Sequence, residues 1–390
     1  MTIEGRSDAR SGAKIRLGMV GGGEGAFIGA VHRLAARMDD HYEFVAGALS
    51  STPEKSRRSG QALGLAADRI YDDYESMAKA EAKRPDGIEA VAIVTPNHVH
   101  AGPTYAFLKA GIHVICDKPL TVSLAEAKKM KAAVDKSDRI FALTHNYTGF
   151  PLVRRMREMA QSGELGEIRL VHSEYPQDWL TVAAETMGNR GAEWRTDPAR
   201  SGAGGSLGDI GTHAYNLADF VTGLELSELS ADLTSFVAGR RLDDNAQIML
   251  RYANGARGAI WASQVAPGNE NGLMLRVYGT KGGVHWRQDN PNYMYWTPFE
   301  KSTRIVTRGG PDSGAAAARV TRVPAGHPEG YLECFASTYS EIALAIKAAR
   351  TGKKPPKGVF FPTIEDGVKG MAFVEAAVKS SKANGKWVKP

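Results

Sequence analysis

Three stretches of the 390-residue chain hold side chains whose types and spacing suit chemistry. The first is Cys116-Asp117-Lys118-Pro119. An ammonium group at a strand end can bind a substrate hydroxyl, and burial lowers a lysine's pKa towards the proton-transfer range. As an exposed ion pair the same dipeptide would contribute little. The second is Gly205–His213, GSLGDIGTH. A helix starting near Ile210 would put Asp209 and His213 on one face. A carboxylate holding an imidazole prepares a general base; the plain alternative is an N-cap beside a core histidine. The third is Ile15–His32, IRLGMVGGGEGAFIGAVH. A short apolar run that stops on glycines and passes into a helix is the geometry that cradles a pyrophosphate, and an ordinary strand-to-helix turn reads much the same. Gly21-x-Gly23 opens a G-x-G-x-x-G pattern, with Gly29, read as the start of the helix, about two residues late. No metal centre is expected, because His98 and His100 lack a third ligand.

These residues need a scaffold, and the first third supplies one. Apolar runs at Tyr42–Leu49, Ile88–Val94, His113–Cys116 and Ile140–Thr144 alternate with helical patterns at Pro53–Leu63, Pro103–Ala110 and Leu124–Asp135. Strands alternating with helices give a parallel sheet covered on both faces, with ligands at the carboxyl ends of the strands. The positions that matter are then Gly21–Gly29, Ser50–Lys55, Thr95–His100, Asp117–Pro119 and His145–Tyr147. After the second strand a carboxylate usually receives the adenosine ribose. Here Ser50, Ser51 and Thr52 come first, Glu54 follows, and Lys55, Arg57 and Arg58 are cationic. The missing acid and the cations favour NADP(H) over NAD(H), unless they are only a solvated helix face.

Past residue 148 the texture changes. A helix at Phe150–Gly163 precedes strand-like runs at Ile168–Tyr175, Ser227–Val237, Ala246–Tyr252, Gly258–Val265, Met274–Tyr278 and Gly283–Arg287. Turn signals between them predict a large, mostly antiparallel sheet. Ser302–Pro324 reads as a surface loop, and Tyr331–Arg350 and Ile364–Lys382 as closing helices. The formal charge of +6 is spread along the chain without an aromatic platform, so no nucleic-acid surface is expected. Residues 1–13 are polar and read as a loose arm rather than a secretory signal. No apolar run is long enough to cross a membrane. Two cysteines make no disulfide framework and fit a reducing, cytoplasmic setting.

With these pieces in order, the chain resembles the Gfo/Idh/MocA family of sugar and cyclitol oxidoreductases. The motifs are the glycine loop, Thr95-Pro96-Asn97 with His100, Asp117-Lys118-Pro119, and Gly208-Asp209-x-Gly211-Thr212-His213. The resemblance implies an α/β protein: an N-terminal Rossmann domain with a doubly wound parallel sheet (14–147), then a C-terminal α/β domain with a large open-faced sheet (148–390). It implies Lys118, Asp209 and His213 as the catalytic set, with Asp209 orienting His213. Cofactor contacts fall on Gly21, Gly23, Gly25, Ala26, Phe27, Ile28, Ser50, Ser51, Lys55, Thr95, Pro96, Asn97, His100, Asp117, Lys118, Asn146, Trp194 and Arg195. Tyr147, Gln177, Asp178 and Trp179 join the catalytic set as substrate contacts, and polar groups beside an indole suit a sugar ring. The chain departs from the family in having Asp117 where Glu is usual, and in its longer glycine loop. The expected activity is NAD(P)-dependent hydride transfer at a secondary alcohol of a pyranose, glycoside or inositol. Glycoside hydrolysis through transient oxidation and cofactor-sensing regulation are the alternatives. Such sheets pair into homodimers or homotetramers, here through apolar positions such as Trp261, Tyr278 and Trp286.

Overall fold

The structure is a computed structural model that describes residues 12–390; residues 1–11, most of the expected arm, lie outside the described residues. The first part runs β1 (Ile15–Gly21), α1 (Phe27–Met38), β2 (Tyr42–Ala48), α2 (Pro53–Ala62), α3 (Tyr74–Glu81), β3 (Ala90–Val94), α4 (Ala101–Lys109), β4 (His113–Cys116), α5 (Leu124–Asp135) and β5 (Phe141–Leu143). Its five strands pair in parallel in the order β2-β1-β3-β4-β5. Successive residues face opposite sides, as a strand buried on both faces requires. On β3, Ala90, Ala92 and Val94 join one apolar layer, and Val91 and Ile93 the other. The strand order reverses between β1 and β3, which opens a crevice at their carboxyl ends. Gly21 pairs with Val94 at that point.

The glycine loop is resolved differently from its sequence spacing. Helix α1 starts at Phe27, so Gly29 lies inside its first turn rather than opening it. A Cβ on Gly29 would stand 2.4 Å from both Cα and O of Gly22. Gly29 therefore serves as the third glycine, the one that lets helix and strand pack closely. Gly29→Ala is expected to cost about 1–3 kcal/mol through overpacking against backbone that has nowhere to move. Thermal unfolding would show it as a lowered Tm; an unchanged Tm would contradict the contact.

The second part runs α6 (Pro151–Gln161), β6 (Ile168–Pro176), α7 (Arg190–Arg195), α8 (Pro198–Ser201), a π-helical turn at Leu207–Gly211, α9 (Thr212–Thr222), β7 (Leu226–Thr234), β8 (Asn245–Tyr252), β9 (Arg257–Ser263), β10 (Met274–Gly279), β11 (Gly282–Arg287), β12 (Tyr293–Pro298), β13 (Arg304–Thr307), α10 (Gly314–Ala318), α11 (Tyr331–Arg350) and α12 (Ile364–Lys382). The sheet order is β13-β12-β11-β10-β6-β9-β8-β7, antiparallel except for β6 with β9. Strand β13 and helix α10 occupy the stretch read as a surface loop. Helix α11 packs Phe335, Tyr339, Ile342 and Ile346 into the first sheet's core. Helix α12 places Met371 in the layer on the sheet's other face, and Phe373 and Val374 against the second sheet.

One expectation about the second sheet is corrected. Trp286 is wholly buried, 5.1 Å from Phe150 between ring centroids. On β11 the alternation turns Val284 and Trp286 inwards, and a one-residue change of register exchanges the faces. The outward face carries half-buried Trp261 with exposed Met249, Tyr278, Tyr295 and Ile305.

Candidate active site

A cleft of about 850 Å³ lies where the carboxyl ends of the first sheet meet one end of the second. Its floor on the cofactor side is Gly25, Ala26, Phe27 and Ile28. The first turn of α1 has no side-chain cap and no acidic residue, so its free N–H groups remain available. A Cβ on Gly25, at φ +76°, would point into open space. The buried Thr95 hydroxyl on the cleft wall has no hydrogen-bond partner among the described residues. Unfilled backbone donors at a helix N-terminus and an unpaired hydroxyl fit a bound dinucleotide. Pro96, Asn97, Asp117 and Asn146 complete this side. Gly21 and Gly23 do not line the cleft; Gly23 lines an adjoining hollow of about 710 Å³.

Lys118 reaches into the cleft from the end of β4. Its Nζ donates to the Asp209 backbone oxygen at 2.6 Å and to Oδ1 at 2.9 Å. The other carboxylate oxygen of Asp209 accepts from Arg195 Nε at 3.1 Å and Gln264 Nε2 at 3.0 Å. Burial by itself would raise this carboxyl, but Lys118, Arg195 and the Gln264 bond together hold it well below the usual carboxylate range. Asp117 shows the same balance: burial raises it, and the His32 ring, Lys118 and the Thr144 hydroxyl outweigh that. Thr144 Oγ1 and the Lys118 backbone N–H donate to its Oδ1 at 2.7 and 2.9 Å.

The expected Asp209–His213 pair does not form. Asp209 sits in the π-helical turn and His213 in α9, and no hydrogen bond joins them among the described residues. A π turn is wider than an α turn and often marks a functional site. Asp209 instead orients Lys118, and the nitrogen facing His213 Nδ1, at 3.5 Å, belongs to His145. Burial, then Lys118 and His145, keeps His213 well below the ordinary imidazole range, so the ring is neutral. Tyr147 packs edge-on against it and Tyr175 at a tilt. Burial pushes both phenols up, which removes them as bases.

The second sheet contributes a chain of amides, of which sequence reading named Gln177 and missed Asn271, Gln264 and Gln288. The Tyr147 and Tyr175 hydroxyls lie 2.5 Å apart, and Tyr175 donates to Asn271 Oδ1 at 2.7 Å. Gln177 Nε2 reaches the same oxygen at 2.8 Å, and Trp179 Nε1 donates to Gln177 Oε1 at 3.0 Å. Asn271 Nδ2 donates to Gln288 Oε1 at 3.4 Å. Gln264 follows β9 and Asn271 precedes β10; only the pairing of these strands with β6 brings them to Gln177. Opposite, the Arg195 guanidinium lies 4.3 Å over the Trp194 ring and 5.9 Å from Trp179.

Other expected contacts stand elsewhere. His100 is wholly buried and does not line the cleft; its ring nitrogens lie 3.0 Å from the Pro119 carbonyl and 2.9 Å from that of Thr95, bracing the Lys118 loop from behind. Asp178 is turned away and accepts from the Gly268 N–H at 3.3 Å. Ser50, Ser51 and Lys55 lie outside the cleft wall. Ser50 Oγ contacts Thr52 Oγ1 at 3.2 Å. Arg57 pairs with Asp72 and Arg58 with Glu24.

A parallel nucleotide-binding sheet facing a polar pocket with an ammonium group and an imidazole defines a nicotinamide-type oxidoreductase. The sequence matches the family described as oxidoreductase family, NAD-binding Rossmann fold, over residues 15–145, and the GFO/IDH/MocA C-terminal domain over residues 153–285. The chain belongs to the Gfo/Idh/MocA family of oxidoreductases. An oxidoreductase structure from Sinorhizobium meliloti is 59% identical, with TM-score 0.89, and covers 97% of this chain and 100% of its own. An inositol dehydrogenase homolog from Azotobacter vinelandii, complexed with NADH and myo-inositol, is 35% identical with TM-score 0.92, covering 98% and 99%. Levoglucosan dehydrogenase from Pseudarthrobacter phenanthrenivorans is 30% identical over 294 residues, 69% of this chain and 73% of that enzyme. Among the described residues no helix is long and apolar enough to cross a membrane.

Proposed function

We propose that this oxidoreductase moves a hydride between nicotinamide and a secondary alcohol or ketone of a pyranose, glycoside or inositol. The observation that carries the reading is the meeting of Lys118, held by Asp209, and the neutral His213 in one cleft lined with amides and indoles. Residues 14–147 serve as the dinucleotide-binding unit and 148–390 as the substrate unit. A bound nicotinamide supplies the hydride acceptor. Lys118 binds the reacting oxygen and stabilises the negative charge that grows on it as the proton leaves. His213 takes that proton in oxidation and returns it in reduction. Asp209 fixes the ammonium group in place. Gln177 and Asn271 offer partners for neighbouring hydroxyls, and Trp179 and Trp194 a flat face for ring C–H groups.

NAD(H) is the proposed cofactor in place of the NADP(H) expected from sequence. Two of the three cations after β2 are already neutralised by Asp72 and Glu24, which leaves Lys55 as a weak case for a 2′-phosphate. The inositol dehydrogenase homolog solved with NADH and myo-inositol and a levoglucosan dehydrogenase solved with NADH and levoglucosan support the same choice and the same substrate class. Both cysteines are free and buried, in keeping with a cytoplasmic setting. The outward face of the second sheet, with Met249, Tyr278, Tyr295 and Ile305, is the proposed contact of a homodimer or homotetramer.

A panel of inositols, pyranoses and glycosides assayed with NAD and NADP tests the reading. Nicotinamide reduction with at least one cyclic polyol is expected, with kcat/KM higher for NAD. No turnover across the panel, or release of free sugar without net reduction, would overturn the hydride-transfer reading. A ratio favouring NADP would restore the cofactor expected from sequence.

A further inference from the structure

His145 directly follows the loop at the end of β5. It is 2% exposed and does not line the cleft. Its backbone is fixed by the turn it enters: its N–H donates to the Leu143 oxygen at 3.0 Å, and its own oxygen accepts from Thr148 Oγ1 at 2.9 Å. The ring meets that of His213 edge-on, with centroids 5.3 Å apart and planes at 85°. The 3.5 Å separation of the two Nδ1 atoms is long, as catalytic hydrogen bonds often are before substrate closes the site.

Two neutral imidazoles that meet through Nδ1 must share one proton between those atoms, since two N–H groups or two lone pairs would repel. Both rings are neutral here: burial, then the Lys118 charge, pushes His145 down to about 3, and burial and the same lysine depress His213. Which ring carries the shared proton decides what the other nitrogen of His213 can do. With the proton on His213 Nδ1, its Nε2 keeps a lone pair and can take a proton from an alcohol. With the proton on His145, His213 carries its own on Nε2 and can only donate. Asp209, the carboxylate whose spacing pointed to His213, is committed to Lys118, Arg195 and Gln264. The hydrogen bond at one imidazole nitrogen sets the protonation of the other.

We infer that His145 accepts the Nδ1–H of His213 and so holds it in the tautomer whose Nε2 can accept a proton. His145 is a positioning residue, acting through His213 without touching substrate. The inference rests on the reading of His213 as the acid–base group. It calls for long-range proton–nitrogen NMR of the histidine-labelled full chain, alongside steady-state kinetics of His145→Leu, His145→Asn and His213→Ala. Wild type should show His213 protonated at Nδ1, and His145→Leu should shift it towards Nε2. In the same variant kcat for oxidation should fall about 10- to 100-fold, less than the loss of a complete acid–base group, with KM for cofactor and polyol much less affected. His145→Asn, whose carbonyl can accept the same proton, should recover most of the rate. A wild-type spectrum with His213 protonated at Nε2 would overturn the inference even if no variant folds. So would an unchanged tautomer and rate in His145→Leu while His213→Ala is inactive, which would leave the acid–base reading standing. Near-normal turnover in His213→Ala would remove that reading and the inference with it.

Discussion

Lys118→Met and His213→Ala are each expected to lower kcat about 10²–10⁴-fold, the usual scale of acid–base assistance. The two losses have different origins. Lys118→Met removes the positive charge that would stabilise the oxygen as its proton departs. The Asp209 carboxylate would keep Arg195 and Gln264 as partners, so the variant leaves no orphaned charge and should fold normally. NADH affinity should change far less than kcat, because the α1 N-terminus and the glycine loop are untouched. His213→Ala removes the proposed proton acceptor itself. Burial holds that ring neutral, so in wild type the base form persists through the neutral pH range. Stopped-flow measurement of the first turnover would separate these chemical losses from slow product release. Turnover close to wild type in both variants would show that the chemistry lies elsewhere in the cleft.

Much of this arrangement is legible in the sequence where it depends on local pattern. The strand His113–Cys116 and the helices Leu124–Asp135, Tyr331–Arg350 and Ile364–Lys382 stand where apolar periodicity puts them. Lys118 follows the end of β4 and Asp209 lies in the turn before α9, both recognisable in the sequence, although their pairing is not. What escapes is decided by distant pairing. Gln264 and Asn271 are unremarkable until β6 lies between β9 and β10. Trp286 looks like surface because the face of an alternating strand is set by its neighbours. The Asp209–His213 spacing fits an ordinary α-turn, and the inserted π turn changes what each side chain faces. His145 falls in the strand-end stretch His145–Tyr147 that the sequence marks, but only the folded chain sets it behind His213.

Arg240→Met is expected to destabilise the fold by about 3–5 kcal/mol, because it leaves the buried Asp244 carboxylate and the half-buried Glu185 without their cation. The Arg240 side chain is 1% exposed. Its guanidinium donates to both oxygens of Glu185 at 3.0 and 2.9 Å, to Asp244 Oδ2 at 3.0 Å, and to the Leu180 and Val182 carbonyls at 3.0 and 3.1 Å. These bonds tie the segment after Trp179 to the loop that precedes β8. The neighbouring carboxylate, Asp243, accepts from the Gly205 and Leu207 N–H groups at 2.7 and 2.8 Å, and so seats the π turn that carries Asp209. One acidic dipeptide thus anchors both the turn that carries Asp209 and, through Arg240, the wall holding Trp179. Losing the arginine should loosen that wall more than the turn. The KM for polyol should then rise more than kcat falls, and the urea midpoint should drop. Arg240→Lys should repair little, since a single ammonium cannot reproduce the planar fork that bridges two carboxylates and two carbonyls. A variant with wild-type midpoint and KM would show that the arginine's bonds are matched by water once it is gone.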